Sequence, residues 1–100
     1  MYLTEMTSQE RIEINKLPII IGGDSAADIP LDDPTLPPLQ CMIDDGNGGG
    51  AILWNLREDF PLYVNGNHVT KAKLSHGDVL LIGQRRFVFS CEEKMVIPQV

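Results

Sequence analysis

The residues in this chain that could carry chemistry are paired carboxylates, two histidines and two cysteines. Asp32-Asp33, Asp44-Asp45 and Glu58-Asp59 are adjacent acids, of the kind that hold a divalent cation or share acid–base work. Calcium needs about six or more oxygens converging on one point. The nearest approach to a ligand loop, Asp44-Asp45-Gly46-Asn47-Gly48, lacks the alternating acidic ligands and the closing bidentate glutamate. These acids read as solvated loop residues, and no metal site is expected. His68, in Gly-Asn-His, and His76, in Ser-His-Gly-Asp, sit in turn-like surroundings. Ser75, His76 and Asp78 are too close along one turn to converge as nucleophile, base and acid. Cys41 has no evident base partner. There is no Cys-x-x-Cys or Cys/His cluster for zinc, and Cys41 and Cys91 each lie in an apolar run, as two small reduced core residues would. Ile21-Gly22-Gly23 and the glycines at 48–50 could offer N–H groups to a phosphate, but neither opens a helix. No segment assembles the parts of an active site. The sequence reads as that of a non-enzyme without a cofactor.

Charge narrows the partners. The chain of 100 residues carries a formal charge of −6. From Pro18 to Gly66 there are eight acids and a single base, Arg57, a formal charge of −7 over that span. A surface of this kind repels phosphates, so neither nucleic acid nor an anionic membrane is an expected partner. No stretch approaches the length of a membrane span, and the start, MYLTEMTSQE, lacks the basic and apolar regions of a secretory signal. A cytoplasmic location is the expectation. The length suits one domain over 1–100 with a single apolar core.

The elements that must position these residues are short strands. Seven prolines and nine glycines punctuate the chain, and runs of Ile, Val, Leu and Phe lie between them. Arg11–Asn15 alternates, with Ile12 and Ile14 on one face. Pro18–Gly23 carries three consecutive isoleucines, as a strand covered on both faces would. Asp28–Leu31 makes a short strand, and Leu39–Ile43 alternates with Leu39, Cys41 and Ile43 facing one way. DDGNGGG at 44–50 reads as a flexible connection. Ala51–Leu56 follows with the only tryptophan, Trp54. Leu62–Val64 and Val69 flank Asn65-Gly66, a pair suited to a type I′ turn because both central residues there need positive φ. Asp78–Gly83 and Arg86–Cys91 complete the set, with Phe87 and Phe89 on one face, and the tail ending IPQV reads as loosely held. The expectation is an all-β sandwich of about nine to eleven short, mostly antiparallel strands.

In order and spacing these segments resemble the forkhead-associated (FHA) domain, an FHA/SMAD-like β-sandwich whose loops at one end commonly bind phosphothreonine peptides. The resemblance runs from about residue 17 to 90. It begins at Ile20-Ile21-Gly22, where the family has an apolar strand ending in Gly-Arg, and continues through Asp28-Ile29-Pro30-Leu31-Asp32-Asp33-Pro34. Asn55-Leu56 falls where the family has Asp-Leu. Tyr63-Val64-Asn65-Gly66 is similar to Phe-Val-Asn-Gly. Leu74 to Gly83 follows the Leu-x-x-Gly-Asp-x-apolar-x-apolar-Gly ending, and Phe87-Val88-Phe89 supplies the last strand. Asn65, Gly66, Gly77 and Asp78 then have structural duties in turns.

The same resemblance implies that the phosphate anchors are missing. The family's arginine falls on Gly23, its serine on Pro37 and its histidine on Gln40, and the Ser-x-Asn-Gly-Thr segment becomes Glu58-Asp59-Phe60-Pro61-Leu62. A phosphothreonine carries about −1.5 to −2 charges and is held by charge-assisted hydrogen bonds, each worth about 1.5–3 kcal/mol. Losing three weakens binding on the order of a thousandfold or more. The expected function is therefore a signalling-type interaction module that binds a protein independently of phosphorylation. Its candidate surface is Leu36, Leu39, Arg57, Glu58, Asp59 and Phe60, and acidic loops favour a partner with a basic patch. One alternative keeps weak phosphothreonine-peptide binding through Arg57, helped by Lys71 or Lys73. A second is a small RNA-binding domain, since Val-Asn-Gly-x-x-Val followed by Leu-x-x-Gly-Asp also looks like the end of one found in a ribosomal protein and in pseudouridine synthases. That domain needs a basic helical segment upstream, where this chain has acids and prolines. The sequence sets no oligomeric state.

Overall fold

The computed structural model describes residues 1–46 and 50–91. Among them are eleven strands and no helix. In chain order these are β1 (Tyr2–Glu5), β2 (Arg11–Glu13), β3 (Ile19–Gly22), β4 (Ile29–Pro30), β5 (Cys41–Asp45), β6 (Ala51–Asn55), β7 (Leu62–Val64), β8 (Asn67–His68), β9 (Lys71–Leu74), β10 (Val79–Ile82) and β11 (Arg85–Ser90). They form two sheets, ordered β2-β1-β11-β10-β7-β8 and β4-β3-β5-β6-β9. Only β3 and β4 pair in parallel. The all-β sandwich read from the sequence is what the chain forms.

Alternation explains which side chains fill the space between the sheets. Ile19 and Ile21, Cys41 and Ile43, Ala51 and Leu53 come from one sheet; Leu62 and Val64, Leu80 and Ile82, Phe87 and Phe89 come from the other. Each large apolar side chain so buried stabilises the fold by about 1.5–3 kcal/mol. Cys41 is fully buried and Cys91 partly so. Burial in apolar surroundings pushes the Cys41 thiol up to about 12,.

Four readings need amendment. Strands β1 and β9 were not anticipated. Tyr2–Glu5 becomes a strand through long-range pairing with β2 and β11. Lys71–Leu74 does alternate, Lys71 and Lys73 outward and Leu74 inward, but Lys and Ala carry little β-propensity. Ile20 is not covered on both faces. It is half-buried on the outer face of its sheet, in a row where Ile20 opposes Met42 and Met42 opposes Trp54. Leu39 does not share the inward face of Cys41 and Ile43. It is exposed, because Gln40 is itself buried and the alternation breaks there. The glycines at 48–49, Asn47 and the IPQV tail lie outside the described residues.

The register defines two ends. At one end, Asn65 (φ 53°) and Gly66 (φ 85°) make the two-residue turn between β7 and β8, where Val64 opposes Asn67. The Asn65 amide donates to Asp78 Oδ1 (3.0 Å) and its Oδ1 accepts from the Val79 N–H (2.9 Å). Asp78 Oδ2 accepts from the Ser75 N–H (2.8 Å), and the N–H of Gly77 (φ 92°) donates to the Phe89 carbonyl (2.7 Å). His76 lies exposed in this turn, its Nδ1 accepting from the Cys91 N–H (3.1 Å). This is the turn end. The opposite end carries the β3–β4, β4–β5 and β6–β7 loops and the β10–β11 turn, and is called the loop end below.

Candidate functional site

The β4–β5 segment, residues 31–40, is rich in proline and has no strand of its own. Its shape comes from hydrogen bonds to the end of β3. The Leu31 N–H donates to the Gly22 carbonyl (2.9 Å), the Asp33 N–H to the Gly23 carbonyl (3.0 Å), and the Gly23 N–H to the Pro37 carbonyl (2.8 Å). The segment is thereby laid across Gly22 and Gly23. A Cβ on Gly22 would lie 1.7 Å from the Pro38 oxygen. One on Gly23 would lie 2.5 Å from the Asp33 oxygen and 2.7 Å from that of Leu36. No side chain fits at either position without moving backbone.

Within the segment, Asp33 Oδ1 accepts from the Thr35 hydroxyl (2.6 Å) and the Thr35 N–H (2.9 Å). These bonds, with a smaller contribution from Arg85, hold its carboxyl below the ordinary 3.8,. On the neighbouring loop, Asp28 is held low in the same way, first by the Ile20 N–H (2.9 Å) and then by Lys16 (3.2 Å).

Asn55, the last residue of β6, organises the second loop. Its Oδ1 accepts from the Arg57 N–H (3.0 Å) and from the side-chain amide of Gln40 (3.2 Å), and its amide donates to the Phe60 carbonyl (3.1 Å). The Leu56 N–H donates to the Gln40 carbonyl (3.0 Å), which ties the two loops together. Gln40 has no exposed surface, and its Oε1 has no partner among the described residues. At the loop's tip, Arg57 places Nε and Nη2 on the two oxygens of Asp59 (3.1 and 2.8 Å) and lies 5.5 Å from the Phe60 ring centre. The pair holds Asp59 below its usual range and Arg57 above its own. Arg57 already has a bidentate carboxylate.

The residues expected to form a partner surface divide. Leu39 is 40% exposed, Arg57, Glu58 and Asp59 are exposed, and Phe60 is half-buried. Leu36 is the exception. It is only 8% exposed and belongs to the core, where its side chain closes over Gly83 in the β10–β11 turn. Pro37 is also buried. Sequence reading missed Leu56, which is 41% exposed beside Gln40, and Arg85, which the fold brings to Asp33. The position of Leu56 one residue past an inward–outward strand was the available signal; Arg85 gave none. Of the two lysines offered as helpers to Arg57, Lys71 lies over the Trp54 ring (4.6 Å), and the Lys73 side chain approaches Gly50 at the turn end. Among the described residues no group of three or more His, Cys, Asp or Glu is arranged to hold a metal. No helix there is long and apolar enough to cross a membrane.

Comparison with known proteins agrees with this geometry. The FHA domain family matches residues 19–83. The chain belongs to the FHA family. FHA domains are protein-interaction modules, generally non-catalytic. Solved FHA-containing structures superpose well. Mycobacterium tuberculosis EmbR, in complex with a low-affinity phosphopeptide, gives a TM-score of 0.82 at 23% identity over 89% of this chain. The chain spans only 24% of EmbR. The FhaA FHA domain complexed with the intracellular domain of Rv3910 gives 0.77 at 24% identity, over 87% of this chain and 96% of that one. The N-terminal FHA domain of S. cerevisiae Rad53p, in complex with a phosphothreonine peptide, gives 0.77 at 18% identity, over 87% and 89%. A search of curated protein sequences returned no match. The basic helical segment that an RNA-binding reading requires has no counterpart among the described residues of this FHA domain.

Proposed function

We propose that this FHA domain is a non-catalytic module that binds a protein partner through its loop end without requiring a phosphate. The observation that carries the reading is at Gly23, where the resemblance sets the family's arginine. The carbonyl oxygens of Asp33 and Leu36 occupy the space into which any side chain would leave the backbone. The missing arginine is thus not an unfilled slot. Gln40, at the family's histidine, is buried against Asn55 rather than presented. Arg57 is the cation nearest the loop tip, and it is committed to Asp59. A phosphate arriving there would compete with a carboxylate and meet Glu58 and Asp59.

What the loop end does present is apolar surface with an acidic rim. Leu39 and Leu56 stand on adjacent, hydrogen-bonded segments, and the loop that carries Leu56 also carries the exposed Arg57, Glu58 and Asp59 and the half-buried Phe60. Such a surface fits a partner with an apolar anchor and a basic surround, and its association weakens as salt is added. Arg85 favours the phosphopeptide reading, since it brings a cation to this end, where it is the smallest of the influences on the Asp33 carboxyl.

The test is capture of partners from the source cell by the wild-type domain and by a Leu39→Asp/Leu56→Asp variant, before and after phosphatase treatment. A partner retained after phosphatase and lost with the variant supports the proposal. A partner released by phosphatase overturns it.

A further inference from the structure

A second surface lies on the side of the sandwich, between the edge strands of its two sheets. Strand β2 ends the six-stranded sheet and β4 ends the five-stranded one. The cleft between them has a volume of about 390 Å³. It is lined by Ile12, Ile19 and Ile29, by the carboxylates of Glu10, Glu13 and Asp28 and by Lys16, and Arg11 beside it on β2 is bound to Glu13 (2.6 Å). Lys16 is already bound to Asp28.

The hydrogen-bond phase of β2 shows what its outer edge offers. The Ile14 N–H donates to the Met1 carbonyl and the Glu5 N–H to the Glu10 carbonyl. Leu3 opposes Ile12 midway between those bonds, so Ile12 turns its N–H and C=O toward β1,. The N–H and C=O groups of Arg11 and Glu13 therefore point away from the sheet, toward the place of a further strand. The edge of β4 is less able to template one, because it is two residues long and Pro30 has no N–H,.

We propose that this cleft receives an extended segment of another protein, one that alternates apolar residues with lysine or arginine and adds to β2 as a seventh strand. Main-chain bonds to Arg11 and Glu13 give it register, and its alternate side chains fall over Ile12, Ile19 and Ile29. Its basic residues meet an edge that stays net negative: Glu13 is paired with Arg11 (2.6 Å) and Asp28 with Lys16 (3.2 Å), which leaves Glu10 as the carboxylate without an ion pair among the described residues. A second copy of this chain, with a net charge of −6, fits that edge less well than a basic segment does,. The surface is separate from the loop end, and its occupancy does not depend on the function proposed there.

The test is a titration of the isotope-labelled domain with a nine-residue peptide alternating valine and lysine, followed by amide chemical shifts. Shifts concentrated in β2, β4 and residues 15–16, weakening with salt, are the expected result. A peptide of the same sequence N-methylated along the edge that faces β2 should lose binding, and this control leaves the domain unaltered. Glu10→Lys with Glu13→Lys should weaken binding about tenfold or more. The inference is overturned if no shifts appear, if the N-methylated peptide binds equally well, if the shifts fall in residues 31–40 and 56–60, or if sedimentation shows the domain pairing with itself through β2.

Discussion

At the turn end of this sandwich, Asn65 and Asp78 spend their side chains on each other, on the Val79 N–H of β10 and on the Ser75 N–H of the 75–78 turn. At the loop end, backbone carbonyl oxygens close over Gly23, where the resemblance would set a ligand-binding side chain. The first stretch stabilises the fold, and the second is the proposed partner surface. The signature pieces Val-Asn-Gly and Gly-Asp are two halves of one hydrogen-bonded junction, so altering either exposes the other's unsatisfied groups. The family-like signature at the turn end therefore serves the fold, and it does not set what the loop end binds.

The sharpest way to break this comparison is at the turn end. Asn65→Ala removes two side-chain bonds and puts a Cβ-bearing residue without a compensating side chain at φ 53°. It should cost about 3 kcal/mol in urea unfolding, and Asn65→Gly should recover part of that by relieving the backbone. An effect of Asn65→Ala confined to a few tenths of a kcal/mol would mean the junction does not hold the fold. At the loop end, Gly23→Arg puts back the residue type the family carries there. Because its Cβ meets two carbonyl oxygens, it should lose about 2 kcal/mol of stability and gain no phosphopeptide affinity,. A stable, phosphate-binding Gly23→Arg domain would show that only the side chain had been missing.

Smaller effects follow from the depressed carboxylates. Asp28, Asp33 and Asp59 titrate below the ordinary 3.8 in the folded chain. A lowered folded pKa means a contribution fully present above about pH 5 and lost as pH falls through the folded values. The melting temperature should be flat from pH 7 to about 5 and fall below about 4, and Asp33→Asn should make that fall shallower. No change in slope would remove the Thr35–Asp33 bonds from the account. The least perturbing probe uses the thiols. Cys41 lies beneath the loop end with its pKa raised to about 12, and Cys91 is partly exposed at the turn end. At pH 8 a thiol reagent should modify Cys41 only as the chain opens. Prompt reaction of Cys41 would mean that the loop end opens far more readily than its hydrogen bonds imply.

Much of the fold was legible because it rests on alternation and on turn chemistry, which are local. Phe87 and Phe89, Cys41 and Ile43, and the Asn65-Gly66 turn are of this kind. Strand β1 was not legible because Tyr2–Glu5 owes its extended form to partners about ten and eighty-five residues away,. The candidate site was legible in part. That Glu58 and Asp59 would lie at an exposed tip follows from Asn-Leu-Arg-Glu-Asp preceding a proline. That Leu36 is core and Leu56 surface does not follow, because each depends on what packs above it. Leu36 meets Gly83 from the other sheet, whereas Leu56, tied by its N–H to the Gln40 carbonyl, stays exposed. Gln40 broke the expected alternation by turning a polar group inward, a choice set by Asn55 rather than by its own neighbours.

In the proposed function the loop end of this FHA domain has no place for a phosphate. Calorimetric titration with a phosphothreonine peptide library and its unphosphorylated counterpart, at low salt where any phosphate contact is strongest, tests it most directly. The account predicts no saturable heat that depends on the phosphoryl group. Saturable binding that disappears on dephosphorylation would contradict it.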